Sequence, residues 1–324
     1  MAELWLVTGG AGFIGSNLVR GILARGCAVR AMDDFSTGYR ENLAEVAGDV
    51  DVVEGDVCDP EACRRACRGA AVVFHEAACS SVPLSLEDPQ RTFDVNVGGT
   101  HNMLLAAREA GVRRFVYASS ASVYGAGRDL PKRESMPMLP VSPYAASKAA
   151  GELLCHAFAD AFGLETVSLR YFNVFGPRQD PTNQYAGVIA AFASRMLGGR
   201  PPVIHGDGEQ SRDFAHVENV VRANLLAADA ARTAGEAVNV GCGEAISIRR
   251  MAEVFNEVLG TGLAAVHDGP RPGDVRHSLA DISAARALLG YEPAVHFAEG
   301  LRRTIAWYRE ALETGYGGWA GRGA

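Results

Sequence analysis

Along the first 175 residues, short apolar runs alternate with segments of helical periodicity. Leu4-Trp5-Leu6-Val7-Thr8 is a continuous apolar run, the pattern of a buried strand. The residues that follow place Leu18, Val19, Ile22 and Leu23 on one helical face. The same alternation predicts strands near residues 3–8, 28–33, 50–55, 71–75, 113–118 and 166–173, with helices between them. This implies an α/β fold, a doubly wound parallel sheet covered on both faces. Past residue 176 the pattern is irregular, with Gly- and Pro-rich loops such as 198–202 and 268–273. Helices near 217–231, 247–259 and 297–313 are expected to form a smaller α/β lobe there. The strand-like segment 237–241 is expected to cross back to the sheet. The predicted organisation is a first domain over 1–175, a second lobe over 176–313, and a flexible tail over 314–324 without periodicity.

The first strand runs into Gly9-Gly10-Ala11-Gly12-Phe13-Ile14-Gly15 and then into a helix. Glycines between strand and helix let the backbone approach a pyrophosphate, which then sits at the helix's positive end. The second strand ends at Asp33, 18 residues beyond the last glycine, where an acid bonds the adenosine ribose of a dinucleotide. Asp34 adds a second negative charge that disfavours a 2′-phosphate, so the expected cofactor is NAD rather than NADP. The first domain is thereby a Rossmann-like NAD-binding domain.

Lysine is nearly absent. Of 31 Lys+Arg residues only Lys132 and Lys148 are lysine, and Lys148 stands four residues after Tyr144. Pro143 marks a first helical turn and an Ala-rich run follows, so Tyr144 and Lys148 share one helix face. An ammonium there would lower the phenol pKa from about 10 by favouring the phenolate. The remaining composition narrows the classes. A chain of 324 residues, 48% hydrophobic, can bury a full core, and its net charge of −7 argues against a nucleic-acid surface. No apolar run approaches a membrane span, and Met1-Ala2-Glu3 lacks a basic leader region, so a cytoplasmic protein off the membrane is expected. Seven scattered cysteines suit reduced thiols, and Cys58, Cys63 and Cys67 lack CxxC spacing, so no metal is expected.

These motifs, with Gly55-Asp56-Val57, His75-Glu76-Ala77-Ala78, Ser119-Ser120-Ala121-Ser122-Val123-Tyr124-Gly125, Arg170-Tyr171-Phe172-Asn173 and Gly206-Asp207-Gly208-Glu209-Gln210-Ser211-Arg212-Asp213-Phe214, carry a family resemblance. From about residue 3 to 312 the chain resembles the extended short-chain dehydrogenase/reductases, and within them the NAD-dependent UDP-sugar 4-epimerases. The resemblance implies Ser120, Tyr144 and Lys148 as catalytic residues. It implies NAD contacts at Gly9, Gly12, Phe13, Ile14, Gly15, Asp33, Asp34, Asp56, Val57, Ala77 and Asn96, with Tyr144 and Lys148 shared. His75, ending a buried strand, reads as structural.

On the substrate side the resemblance implies contacts from Ser81, Ser122, Asn173, Gln179, Arg212, Arg271, Asp274 and Ser278. Arg212 and Arg271 are suited to a diphosphate. The small Ser278 leaves room for a 2-acetamido group, whereas Ser80 stands where those relatives often carry glycine. Family dehydratases carry an Asp-Glu pair directly after the catalytic serine, and this chain has Ala121. The implied reaction is therefore C4 epimerisation of a UDP-hexose (UDP-GlcNAc/UDP-GalNAc and UDP-Glc/UDP-Gal) through a transient 4-keto sugar. Another nucleotide-sugar enzyme on the same scaffold, or a non-catalytic NAD-sensing protein, are the alternatives. A homodimer is expected, with Leu153, Leu154, Ala157 and Phe158 on one helix and Met103, Leu104 and Ala107 on another as apolar surface.

Overall fold

A seven-stranded parallel sheet organises the chain. The computed structural model describes residues 2–127, 129–180, 187–269 and 275–316. In chain order the strands are β1 (Leu4–Thr8), β2 (Ala28–Asp33), β3 (Val50–Glu54), β4 (Val72–His75), β5 (Arg114–Ser120), β6 (Glu165–Tyr171), β7 (Val203–His205), β8 (Ser211–Arg212), β9 (Glu236–Val240), β10 (Ile246–Ser247) and β11 (Val266–Asp268). The sheet order is β3-β2-β1-β4-β5-β6-β9, so the Rossmann-like expectation holds. β9 crosses back beside β6, with Tyr171 opposite Val240. The order reverses between β1 and β4, and ligands of open α/β sheets collect at the carboxyl edge beside that switch.

Burial follows the alternation of side chains along each strand. Trp5, Val7, Phe74 and Val116 pack under the helices Phe13–Ala24 and Val217–Asp229. Leu6, Val73, Phe115 and Tyr117 face the opposite layer, built on Pro60–Cys67, Thr100–Glu109 and Pro143–Phe162. A separate apolar cluster joins the helices Val188–Leu197, Ile248–Leu259 and Phe297–Thr314. The pairs β8–β10 and β7–β11 edge this second lobe. No helix among the described residues is long and apolar enough to cross a membrane.

The expected dimer face divides. Met103, Leu104, Ala107 and Phe158 are buried in the chain's own core, because their helices pack on the sheet through those positions. Leu153 is 60% exposed and Ala157 is exposed on the outer face. Residues 317–324 of the expected tail lie outside the described residues.

Candidate active site

The glycine turn is made of backbone approaching backbone. Gly9 sits in the left-handed region at φ +65°, and a Cβ there would meet the Ala77 nitrogen at 2.8 Å. A Cβ on Gly15 would collide with the Gly9 carbonyl oxygen, so only glycine lets the helix start this close to β1. Gly12 is the N-cap and offers no side-chain cap, and the first turn, with Phe13 and Ile14, holds no acid. The positive helix end is left for an anion. Asp33 is buried at the end of β2, one oxygen accepting from the Ala11 amide at 2.9 Å and the other from the Phe35 amide at 2.8 Å. Burial raises its pKa against the pull of those two amides. Asp34 is exposed and accepts from the Ser36 amide and hydroxyl. A cradle that a Cβ would fill, an uncapped helix end and a carboxylate with lone pairs to spare fit a dinucleotide.

Further along the edge, Asp56 lines an open groove of about 690 Å³ with Asp88 and Asn102. Val57 is buried beneath it, its carbonyl accepting from Asn102 Nδ2 at 3.0 Å. The Ala77 amide donates to Thr8 Oγ1 at 3.3 Å. Asn96 lies in a widened helical turn, Asp94–Gly99. Its side chain accepts from the Cys79 amide at 2.7 Å and donates to the Cys79 carbonyl at 3.1 Å and to Ser147 Oγ at 2.9 Å. Asn96 thereby clamps the loop after β4 to the helix bearing Tyr144.

That helix, Pro143–Phe162, begins where Ser142 Oγ accepts from the Ala145 amide at 3.1 Å and ends at Gly163 in the left-handed region. It packs tightly on β5 because Gly151 lies against the Tyr117 ring, where a Cβ would overlap the Tyr117 hydroxyl. Close packing fixes the height of the two residues one and two turns earlier. Lys148 is 4% exposed; its Nζ donates to the Ala118 carbonyl at 2.8 Å and stands 6.0 Å from the Tyr144 ring centre. Ser120 ends β5, its hydroxyl accepting from the Ser122 amide at 3.2 Å and lying close enough to the Tyr144 phenol to lower its pKa. Ser120, Tyr144 and Lys148 thus meet at the carboxyl edge.

Their electrostatics differ from the expectation of a depressed tyrosine. Burial raises the Tyr144 pKa, the Ser120 hydrogen bond lowers it, and the charge of Glu76 raises it again. Burial also pulls Lys148 down to about 8. A buried ammonium is itself easier to discharge, so in the ligand-free protein Tyr144 is a phenol.

The substrate-side residues are divided between the turn after β5 and the second lobe. Ser122 Oγ and Gln179 Oε1 are buried and have no hydrogen-bond partner among the described residues. Gln179 and Asn173 line a cavity of about 70 Å³ with Val188 and Phe214. Asn173 is held at φ 33° and donates to the Asp213 carbonyl at 3.0 Å. Arg212 Nη1 donates to the Ser211 and Arg276 carbonyls at 2.9 and 3.2 Å. Ser278 is half-buried beside it, its amide donating to the Ser211 carbonyl at 3.0 Å. Ser81 differs: its hydroxyl caps the helix Val82–Glu87, accepting from the Leu84 amide at 3.2 Å. Arg271 and Asp274 lie outside the described residues.

The profile of the NAD dependent epimerase/dehydratase family matches residues 5–241. The chain belongs to this family. It is 41% identical over 308 residues to the UDP-glucose 4-epimerase of Mycolicibacterium smegmatis, covering 94% of this chain and 98% of that protein. It is 37% identical over 313 residues to a dTDP-glucose 4,6-dehydratase of Streptomyces griseus, covering 94% of each. Among solved structures, the UDP-N-acetylglucosamine 4-epimerase from Methanobrevibacter ruminantium in complex with UDP-N-acetylmuramic acid superposes with a TM-score of 0.91. That pair shares 38% identity over 96% of this chain and 99% of the other.

Several residues of this epimerase/dehydratase site escape a reading by motif. Asp213 is buried, and its carboxylate accepts from the amides of Cys242 at 2.7 Å, Gly243 at 2.9 Å and Ala280 at 3.1 Å. It ties the Arg212 strand to the Ser278 segment, and burial pushes it up to about 6. Glu152 receives Arg170 in a buried ion pair at 2.7 Å and also accepts from Ser119. Arg170 reaches on to the Tyr124 hydroxyl at 2.9 Å. Glu152, one turn past Lys148, had a sequence signal, an acid on a helix face otherwise committed to the sheet. His75 is bonded by Thr8 at 2.8 Å and Thr100 at 3.0 Å, and burial drives its pKa to about 3. It is a neutral structural group.

Proposed function

We propose that the protein is a UDP-hexose 4-epimerase that interconverts UDP-GlcNAc with UDP-GalNAc and UDP-Glc with UDP-Gal. The observation that carries this reading is the meeting of Ser120, Tyr144 and Lys148 beside a glycine cradle, with Ala121 and Ser122 following Ser120. Neither of those two side chains is a carboxylic acid, so the paired acid that water elimination requires is missing at this point. Proton removal and hydride exchange at one carbon remain.

NAD held in the cradle would supply the hydride acceptor at C4, and its cationic ring would favour the phenolate of a nearby tyrosine. Gly9, Gly12 and Gly15 would admit its pyrophosphate, and Asp33 would take the adenosine ribose. Asp56, Val57 and Ala77 border the remaining length, and Asn96 holds the loop that Ala77 belongs to. Tyr144 removes the O4 proton as general base and later returns it. Ser120 fixes the O4 hydroxyl relative to Tyr144, and Lys148 keeps positive charge beside the phenol. On the other side Arg212 grips the diphosphate, together with Arg271, and the 4-keto sugar turns about that anchor to offer its opposite face. The unpartnered atoms of Ser122 and Gln179 support a polar ligand at this edge. Asn173, Ser81, Asp274 and Ser278 complete the proposed sugar-nucleotide contacts. Exposed Leu153 and Ala157 on the Tyr144 helix support a homodimer, and the protein is proposed to work in the cytoplasm.

The test is incubation of the purified protein with UDP-Glc, UDP-Gal, UDP-GlcNAc and UDP-GalNAc in separate reactions, with chromatographic separation of products. Formation of the C4 epimer from either pair is expected. Absence of epimer from all four refutes the reading.

A further inference from the structure

The Tyr144–Lys148 pair has a charged neighbour that arrives from the other side of the sheet. Glu76 is the residue after β4, half-buried at the carboxyl edge. In the parallel register His75 lies opposite Tyr117, and Ser120 lies opposite Tyr171. Glu76 therefore emerges next to Ala118, while Tyr171 stands one strand further out. The Tyr171 hydroxyl donates to Glu76 Oε1 at 2.7 Å and accepts from Asn224 Nδ2 at 2.8 Å. This bridge from β4 to β6 crosses β5 at the level of Ala118 to Ser120. The Ala118 carbonyl is the acceptor that holds Lys148 Nζ.

The surroundings leave Glu76 as the charge that answers Lys148. Lys148, held on the Ala118 carbonyl beside which Glu76 emerges, is the cation whose charge acts on Glu76; from β6 the Tyr171 hydroxyl binds the carboxylate, and the neutral Asn224 binds that hydroxyl. His75 on its own strand is neutral. The thiols that face Lys148, Cys79 and Cys155, are both pushed up by burial and stay protonated. Glu152, one turn further along the helix, is already neutralised by Arg170.

We propose that Glu76 is a positioning residue of this active site, the counter-charge that Tyr171 holds in place so that the buried Lys148 ammonium survives beside Tyr144. The role in turnover rests on the epimerase reading of Tyr144 and Lys148; the charge coupling itself does not. Burial lowers the Lys148 pKa to about 8, and the Glu76 carboxylate acts against that fall. Burial raises Glu76 to about 7, and the Tyr171 hydrogen bond and Lys148 act against that rise. The two groups share a window near neutrality in which each keeps the other charged. The carboxylate has a second effect, since it opposes ionisation of Tyr144. It thereby holds the phenol protonated until the cationic cofactor is present.

The near absence of lysine makes this directly measurable. With lysine labelled with carbon-13 at Cε, the protein gives signals from Lys132 and Lys148 alone. The signal lost in Lys148→Arg is Lys148. Its titration midpoint, followed by NMR without substrate, is expected near 8 in the wild type. Glu76→Gln is expected to lower it by ~1 unit, the scale of one nearby opposite charge. Glu76→Leu, which removes both the charge and the acceptor of the Tyr171 hydroxyl, should do the same, and Glu76→Asp should keep most of the wild-type value. An unchanged or raised midpoint in whichever of Glu76→Gln and Glu76→Leu folds overturns the proposal. A fall as large in Glu76→Asp as in Glu76→Gln also overturns it, by assigning the effect to packing. Loss of the epimerase reading would leave these midpoints untouched, so the two failures are told apart.

Discussion

The cofactor cradle and the edge proposed for the sugar are finished to different degrees. In the cradle, backbone meets backbone: Gly9 against Ala77, Gly15 against Gly9, and Asp33 between the Ala11 and Phe35 amides. Every part is held before any ligand arrives. At the sugar edge the polar atoms of Ser122 and Gln179 are buried and lack partners among the described residues. An unmet buried polar group costs about 1–3 kcal/mol. The difference teaches that the cradle is preorganised for a resident group, whereas the edge proposed for the sugar carries unmet polar atoms that, on the proposed function, a ligand would satisfy.

The largest expected effect separates chemistry from both regions. Tyr144→Phe should reduce turnover by about 10³-fold, the scale of a lost general base. NAD affinity should stay within about twofold, since no hydrogen bond of the cradle is touched. Steady-state rates and calorimetry check the two numbers separately, and near-normal turnover would end the proposed mechanism.

Gly15→Ala attacks the cradle itself. The added methyl group collides with the Gly9 carbonyl, and backbone cannot yield as a side chain does. A cost of ~3 kcal/mol, or about a hundredfold in NAD affinity, is expected. Undiminished binding would show that the cradle is looser than its contacts imply.

Ser278→Tyr tests the sugar edge by filling it. The ring should occupy the volume a 2-acetamido group needs, at ~1–3 kcal/mol. The ratio of kcat/KM for UDP-GlcNAc to that for UDP-Glc should fall about tenfold or more. An unchanged ratio reduces the substrate assignment to an unspecified UDP-hexose.

The smallest effect is the most pointed. Ser122→Ala removes a hydroxyl that has no partner among the described residues, so urea unfolding should show no loss of stability, or a gain of up to ~1 kcal/mol. UDP-sugar affinity should fall by roughly three- to tenfold. A destabilised Ser122→Ala protein would mean that the sugar edge is already satisfied and that the contrast with the cradle is false.

Much of this was legible in the chain. The strand positions followed from apolar runs, and the return of β9 from the strand-like segment near 237–241. The glycine turn, Asp33 and the Tyr144–Lys148 spacing are short-range patterns, each contained in one strand, turn or helix, and local chemistry alone specifies them. The dimer face was only half legible, because helical periodicity shows that Met103, Leu104 and Phe158 are apolar without showing which layer covers them. The resemblance implies Asn96 as a cofactor-side asparagine, but its partners at Cys79 and Ser147 come from different segments and no motif contains them.

What the tertiary structure alone decided is the charge state of the site. Spacing on a helix brings an ammonium near Tyr144 and predicts a lowered phenol pKa. Burial raises the phenol pKa instead, and Glu76, which raises it further, lies 95 residues away from its Tyr171 partner. Depth below the surface and the register of β4, β5 and β6 are properties of the packed sheet. Desolvation and Coulomb energy depend on those distances and on nothing a linear motif contains.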